Sequence, residues 1–264
     1  MLNIPAMLRS ITRTVRPAAM IAATLLLGAS PAAAQVAGYL NKAPLGYEIP
    51  PPPMAANDVE MDLNLVRALR AVPGSLAEDE AIGDAQAYFA PDLLPRFSDA
   101  AHLPLNAKTR PILTYVLSRA LPEVADYIKH GKETYPRPRP YAEDGAILPC
   151  YRRYLKDTES YPSGHAANGL TAALILAEVI PARRQALTAR GIRYGDNRVA
   201  CGVHHPSDVY QGRMVASFYI ALLLKNPVFQ EELACARIEQ RRVEQDEAAV
   251  AQDPLPAKCQ ALHL

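Results

Sequence analysis

Residues 161–180 read Tyr-Pro-Ser-Gly-His-Ala-Ala-Asn-Gly-Leu-Thr-Ala-Ala-Leu-Ile-Leu-Ala-Glu-Val-Ile. From Leu170 to Ile180 the run is apolar almost all round, the pattern of a helix buried on every side. Ser163 stands where an N-cap belongs, with Gly164 and His165 in the first turn. Outward from this segment the helical period persists. Residues 183–201 and 207–225 read as two further helices. Asn226-Pro227 supplies a cap and a first-turn proline for a last helix running toward Val250. On the N-terminal side, residues 108–130 read as a helix pair broken near Pro122 and stopped by Gly131. Met61, Leu65, Val66 and Leu69 recur on one face of an earlier helix. No period-2 strand pattern and no internal repeat is found. The expectation is an all-α, single-domain helical bundle.

The chain has 264 residues, 50% hydrophobic and 21% charged, with a formal net charge of +1. That length can bury a sizeable core. The charge balance gives no basic field for nucleic acid and no acidic tail, so no nucleic-acid partner is expected. Trp is absent and Phe numbers four, so aliphatic side chains and the 13 Tyr must fill the interior. Residues 1–34 carry Arg9, Arg13 and Arg16 and no acid, then an apolar run from Ala18 to Leu27, then small residues ending Ala32-Ala33-Ala34. That order of blocks is a secretory signal peptide. Export through it, in a bacterium, leads to the periplasm. Residues 35–56 read as a Pro-rich arm in which Pro50 to Pro53 is extended; a leader without structure is the competing reading. Residues 57–264 form the helical domain. Outside the leader no stretch reaches the roughly 18–20 apolar residues of a membrane span.

An exported chain with Cys150, Cys201, Cys235 and Cys259 is read as disulfide-bonded. Four cysteines allow three pairings. Proximity in sequence favours Cys150–Cys201 and Cys235–Cys259, the second tying down the C-terminal tail, against a reading of free buried thiols.

Three segments concentrate charged and hydroxyl side chains beside helix ends. In Lys132-Glu-Thr-Tyr-Pro-Arg-Pro-Arg139-Pro140 the prolines hold basic side chains on a stiff, extended segment. Alone, such a run is a solvated face. In Pro162-Ser163-Gly164-His165 a helix N-terminus offers free N–H groups to an anion. Alone, it is an ordinary cap. In Arg198-Val-Ala-Cys-Gly-Val-His204-His205-Pro206-Ser-Asp208 the proline pushes His205 out of the α region. The helix carrying Arg198 is therefore expected to end near His204, with a new one starting at Pro206 and Asp208 in its first turn. Across that corner Asp208 accepts from one ring nitrogen of His204 and leaves the other free as a base or nucleophile. A pair of metal ligands at His204 and His205, or a structural His–Asp bond, are the competing readings. Together the segments supply fixed cations, N–H donors and two histidines, the inventory that phosphoryl transfer asks for.

Lys132-x6-Arg139-Pro140, Pro162-Ser163-Gly164-His165 and Arg198-x5-His204-x3-Asp208 together resemble the three-part signature of the type 2 phosphatidic acid phosphatase and vanadium haloperoxidase superfamily. Within it, the exported helical chain is similar to the class A bacterial non-specific acid phosphatases. The resemblance implies hydrolysis of small phosphate monoesters with broad specificity through a phosphohistidine on His204. It implies that Asp208 orients His204, and that His165 protonates the leaving alcohol and then activates water. Lys132, Arg139, Ser163, Gly164 and Arg198 would hold the phosphate oxygens. No cofactor or metal is implied; the family often assembles as symmetric homo-oligomers, and the sequence leaves the oligomeric state of this chain open. An ordinary His165 pKa of about 6.5 would suit an acidic working range. Asn197 departs from the family pattern, which has Ser before the arginine, and puts a hydroxyl contact there in doubt. Phosphotransferase activity and a phytate or nucleotide preference stand as alternatives within the family. A catalytically silent phosphate- or metal-binding protein stands outside it. Residues 57–106 are expected to help build the leaving-group pocket, but nothing in them names a substrate.

Overall fold

The computed structural model describes residues 37–244 and 255–262. Residues 1–34, read as a signal peptide, and the extension of the last helix toward Val250 lie outside the described residues. Seven long helices order the described chain: α1 (Ala56–Leu69), α2 (Leu76–Gln86), α3 (Pro111–Thr134), α4 (Gly164–Val179), α5 (Arg184–Ala200), α6 (Pro206–Leu223) and α7 (Pro227–Glu244). Among the described residues the only β pairing is an isolated bridge between Arg137 and Glu159, so the all-α expectation holds.

The apolar run of α4 takes the central place. It packs on α3, α5 and α6, and its residues are buried almost throughout. A Cβ on Gly191 would run into the carbonyl of Gly169, and a Cβ on Gly169 into the Tyr194 ring. These two glycines let α4 and α5 approach backbone to backbone, which brings Ser163–His165 and Arg198 to the same end of the bundle.

Three expectations about helices need correction. Residues 108–130 do not break at Pro122; α3 runs unbroken for 24 residues with the proline inside it. A proline there costs about 3 kcal/mol in lost hydrogen bonding and steric clash. The burial of Leu113, Leu117, Leu121, Val124 and Ile128 outweighs it. Nor does Gly131 stop the helix. It lies inside the last turns, where a Cβ would press on Pro162 and Ile49. In α1 the buried residues are Asp62, Leu63 and Val66, while Met61, Leu65 and Leu69 are exposed. The helix is rotated from its apolar periodicity because Asp62 pairs with the buried Arg137.

The arm from residue 37 onward is packed. Tyr39 is buried, its hydroxyl donating to Glu232 at 2.5 Å and its N–H to Glu123 at 2.9 Å. Tyr47 stacks on Phe218 at 4.3 Å, and the Pro50 carbonyl accepts from the Tyr161 hydroxyl at 2.7 Å. At the other end, the Asn226 side chain caps α7 by accepting from the Phe229 N–H at 3.0 Å. The disulfides are Cys150–Cys201 and Cys235–Cys259, the favoured pairing; the second fastens the short turn Ala257–Gln260 to α7.

Candidate active site

The corner between α5 and α6 is built by Pro206. His205 sits at φ −78°, ψ 155°, and α6 begins at Pro206 with Asp208 in its first turn. One detail differs from expectation: α5 ends at Ala200, several residues before His204. Asp208 Oδ2 accepts from the His205 N–H at 2.8 Å and from Ser160 Oγ at 2.6 Å. The same oxygen lies 3.3 Å from His204 Nδ1 and 3.2 Å from His205 Nδ1. Oδ1 accepts from Arg137 at 2.7 Å. Burial would raise the pKa of Asp208, but the bonds from His204 and His205 and the charge of Arg137 hold it well below the usual carboxylate range.

A carboxylate only accepts, so Nδ1 of His204 carries the hydrogen and Nε2 keeps its lone pair. That Nε2 lies 3.2 Å from Arg139 Nη1, which also donates to the Val203 carbonyl at 2.8 Å. Burial, then Arg139 and Lys132, push the His204 pKa well below its ordinary value. Both effects favour the neutral imidazole.

Those cations are poorly matched by anions. Arg139 donates to the carbonyls of Lys156, Val203 and Glu159, and Lys132 Nζ donates to the Glu159 carbonyl at 2.6 Å. Burial, then the nearby Arg139, lowers Lys132 to about 7. Arg198 is 1% exposed, and its Nε and Nη1 are buried without a hydrogen-bond partner. Burial lowers it to about 10. Carbonyl dipoles orient these groups but do not neutralise them, so the pocket is set for an anion.

Ser163 caps α4 as expected, its Oγ accepting from the Ala166 N–H at 3.4 Å. His165 follows in the first turn. Its Nε2 lies 3.2 Å from the Ala85 carbonyl, so Nε2 carries the hydrogen and Nδ1 is the nitrogen left to exchange a proton. Here the expectation of an ordinary pKa fails. Burial, then Arg198 and His204, hold His165 well below 6.5.

Residues 109–231 match the model of the PAP2 superfamily. The non-specific acid phosphatase of Providencia stuartii is 33% identical over 196 residues, covering 72% of this chain and 78% of that protein. The acid phosphatase of Zymomonas mobilis is 34% identical over 208 residues, 76% of each chain. The non-specific acid phosphatase of Salmonella typhimurium is 34% identical over 199 residues, 73% of this chain and 78% of that protein. The chain belongs to the PAP2 superfamily. The three segments singled out in the sequence lie within that range, on the α3 C-terminus with its following loop, the α4 N-terminus and the α5–α6 corner.

Sequence reasoning missed several members of this cluster. Arg137 donates to Asp208 and, at 2.9 Å, to Asp62. Its signal was present: Arg137 and Arg139 are two apart on a proline-stiffened extended segment, so both side chains lean the same way. Ser160 and Asp62 carried no such signal. Asn197 is engaged elsewhere than with a phosphate ligand set. It donates to the fully buried Asp84 at 2.7 Å, which also accepts from Arg96 and Arg190. The residue at this position braces α5 against α2. The metal-ligand reading of the histidine pair meets a direct obstacle. The positive charge of Arg139, 3.2 Å from His204 Nε2, repels a metal cation there while favouring an anion, and both ring nitrogens of His205 face carboxylates, Asp208 and Glu143.

Proposed function

We propose that this chain is an exported acid phosphatase that hydrolyses small phosphate monoesters through a phosphohistidine on His204. The observation that carries the reading is the buried Arg198 with two unpartnered nitrogens, grouped with Lys132 and Arg139 around the lone pair of a neutral imidazole. Such a cluster is unfavourable empty and is relieved by a dianion.

In the first step His204 Nε2 attacks phosphorus and the bond to the ester oxygen breaks. The leaving oxygen takes the proton from His165 Nδ1. Asp208 holds the Nδ1–H of the imidazolium formed on His204, and the three cations with the α4 N–H groups meet the charge on the equatorial oxygens. In the second step His165 Nδ1 takes a proton from water, the hydroxide bonds to phosphorus and the N–P bond breaks, releasing phosphate and restoring both rings. The surrounding cations and burial disfavour the charged form of His165, so the proton must be taken up together with the anion. A bound phosphate supplies the opposite charge that raises its proton affinity.

Export is supported by the order of blocks in residues 1–34 and by two disulfides, which persist in oxidising compartments; a periplasmic location follows. No helix among the described residues is long and apolar enough to cross a membrane. The test is a rapid quench with a phosphorus-labelled aryl ester. Label that is acid-labile, alkali-stable and lost in His204→Ala is expected. An enzyme that turns over without ever carrying label on His204 refutes the mechanism.

A further inference from the structure

The general acid has an aromatic neighbour that the chemistry above does not use. Tyr88 follows α2 and its ring meets His165 at 4.9 Å between centroids, inclined by 63°. Its hydroxyl stands 2.8 Å from where a Cβ on Gly164 would be, so it hangs over the first residue of α4. The absence of a side chain at position 164 is what makes room for it. The segment is held in place on several sides: the Asn168 side chain donates to the Tyr88 carbonyl at 3.2 Å, the Tyr194 hydroxyl to Ala87 and His165 to Ala85. Phe89 continues the aromatic surface, edge-on to Tyr88 at 5.3 Å and 89°, and is 59% exposed. Such an exposed ring beside a half-buried one is an apolar surface left open among the described residues.

The position matters because of where a leaving group must lie. An ester whose phosphorus faces His204 has to place its bridging oxygen against His165 to receive a proton. Two rings flank His165, and Tyr194 is fully buried, so the alcohol attached to that oxygen extends past the partly exposed Tyr88 and out toward Phe89. A planar ring there gains stacking or edge contact worth about 0.5–1.5 kcal/mol beyond area burial. A small alkyl alcohol gains little. Burial raises Tyr88 to about 12, so its hydroxyl stays protonated and the wall remains uncharged across the pH range of turnover.

From this arrangement we infer that Tyr88 and Phe89 form the leaving-group wall and make the site selective for phosphate esters of planar aromatic alcohols. The inference rests on the phosphatase reading and refines its substrate class.

The test measures binding apart from turnover. Inhibition constants of phenylphosphonate and methylphosphonate are compared in wild type, Tyr88→Leu, Tyr88→Phe and Phe89→Ala, with inorganic phosphate titrated by calorimetry as the reference. Tyr88→Leu and Phe89→Ala are expected to shrink the preference for the phenyl compound by about three- to tenfold, the contact energy expressed as affinity. Tyr88→Phe is expected to keep it. If both phosphonates weaken equally, Tyr88 serves the phosphate cage and the inference falls. If Tyr88→Phe loses the preference as Tyr88→Leu does, the hydroxyl and not the ring is the determinant, and it falls likewise. An unchanged preference in all variants overturns it too. Failure of wild type to bind phosphate at all is a different result, which refutes the phosphatase reading itself. Phe89 is exposed, so Phe89→Ala keeps the test open if Tyr88→Leu folds poorly.

Discussion

Replacing Arg198 by Met should make the empty protein more stable and the enzyme far slower. The side chain is 1% exposed, and two of its nitrogens are buried without a partner. A guanidinium held at about 10 against an ordinary 12.5 carries on the order of 3 kcal/mol of unrelieved charge energy. The sign follows from the protons bound. Between the two pKa values the unfolded chain binds more protons, so stability rises with pH only there. At neutral or acidic pH the whole penalty is present. Met keeps the apolar stem and removes the charge, so a thermal melt in phosphate-free buffer at pH 6 should move up, by at most that amount. The same change takes preorganised donors from the reacting phosphoryl group. Loss of one such donor costs about 100- to 1000-fold in rate, or about 3–4 kcal/mol. A third measurement joins the two. Phosphate at a hundredfold excess over its dissociation constant stabilises wild type by about 2.7 kcal/mol; a hundredfold weaker site in the variant leaves about 0.4 kcal/mol. Melts with and without phosphate, beside kcat/KM on an aryl phosphate, complete the assay. A variant that is less stable without phosphate, or within a few-fold of wild type in kcat/KM, would show that Arg198 is a structural residue and not an anion ligand held in waiting.

The depressed pKa of His165 makes the pH profile informative. Bound ester raises it, so the alkaline limb of kcat should lie at higher pH than that of kcat/KM once the ester's own ionisation is corrected for; coincident limbs would remove His165 as the acid. Asp208 is held below the ordinary carboxylate range, so its stabilisation is present above about pH 4 and is lost as pH falls through the folded value. Asp208→Ala should cost about 3–5 kcal/mol at neutral pH by leaving Arg137 with Asp62 alone, and chemical denaturation at pH 3 should show a smaller gap than at pH 7. Replacing both Cys235 and Cys259, which close a loop of sequence separation 24, should lower stability by about 3 kcal/mol without touching kcat, since neither half lies in the motifs.

The corner that carries His204 and Asp208 was legible because it is governed by local rules. Pro206 fixes the conformation of His205 and the start of α6, and that alone lets Asp208 reach back to His204. The cap at Ser163 is equally local. The rotation of α1 was not legible, because a long-range ion pair between Asp62 and Arg137 overrides the apolar stripe. Pro122 misled for the same reason: a proline's local cost is readable, whereas the packing that exceeds it belongs to the whole of α3.

By itself the sequence determined the helical class, the caps, the corner and the set of side chains that chemistry would need, since each follows from neighbours within a turn or two. The tertiary structure alone decided the electrostatic state of those side chains. Whether Arg198 is paired, whether Lys132 sits near 7, and whether His165 titrates normally depend on burial and on charges contributed by four different segments of the chain. Periodicity reports which face of a helix avoids water; it cannot report which charge another helix will bring against it.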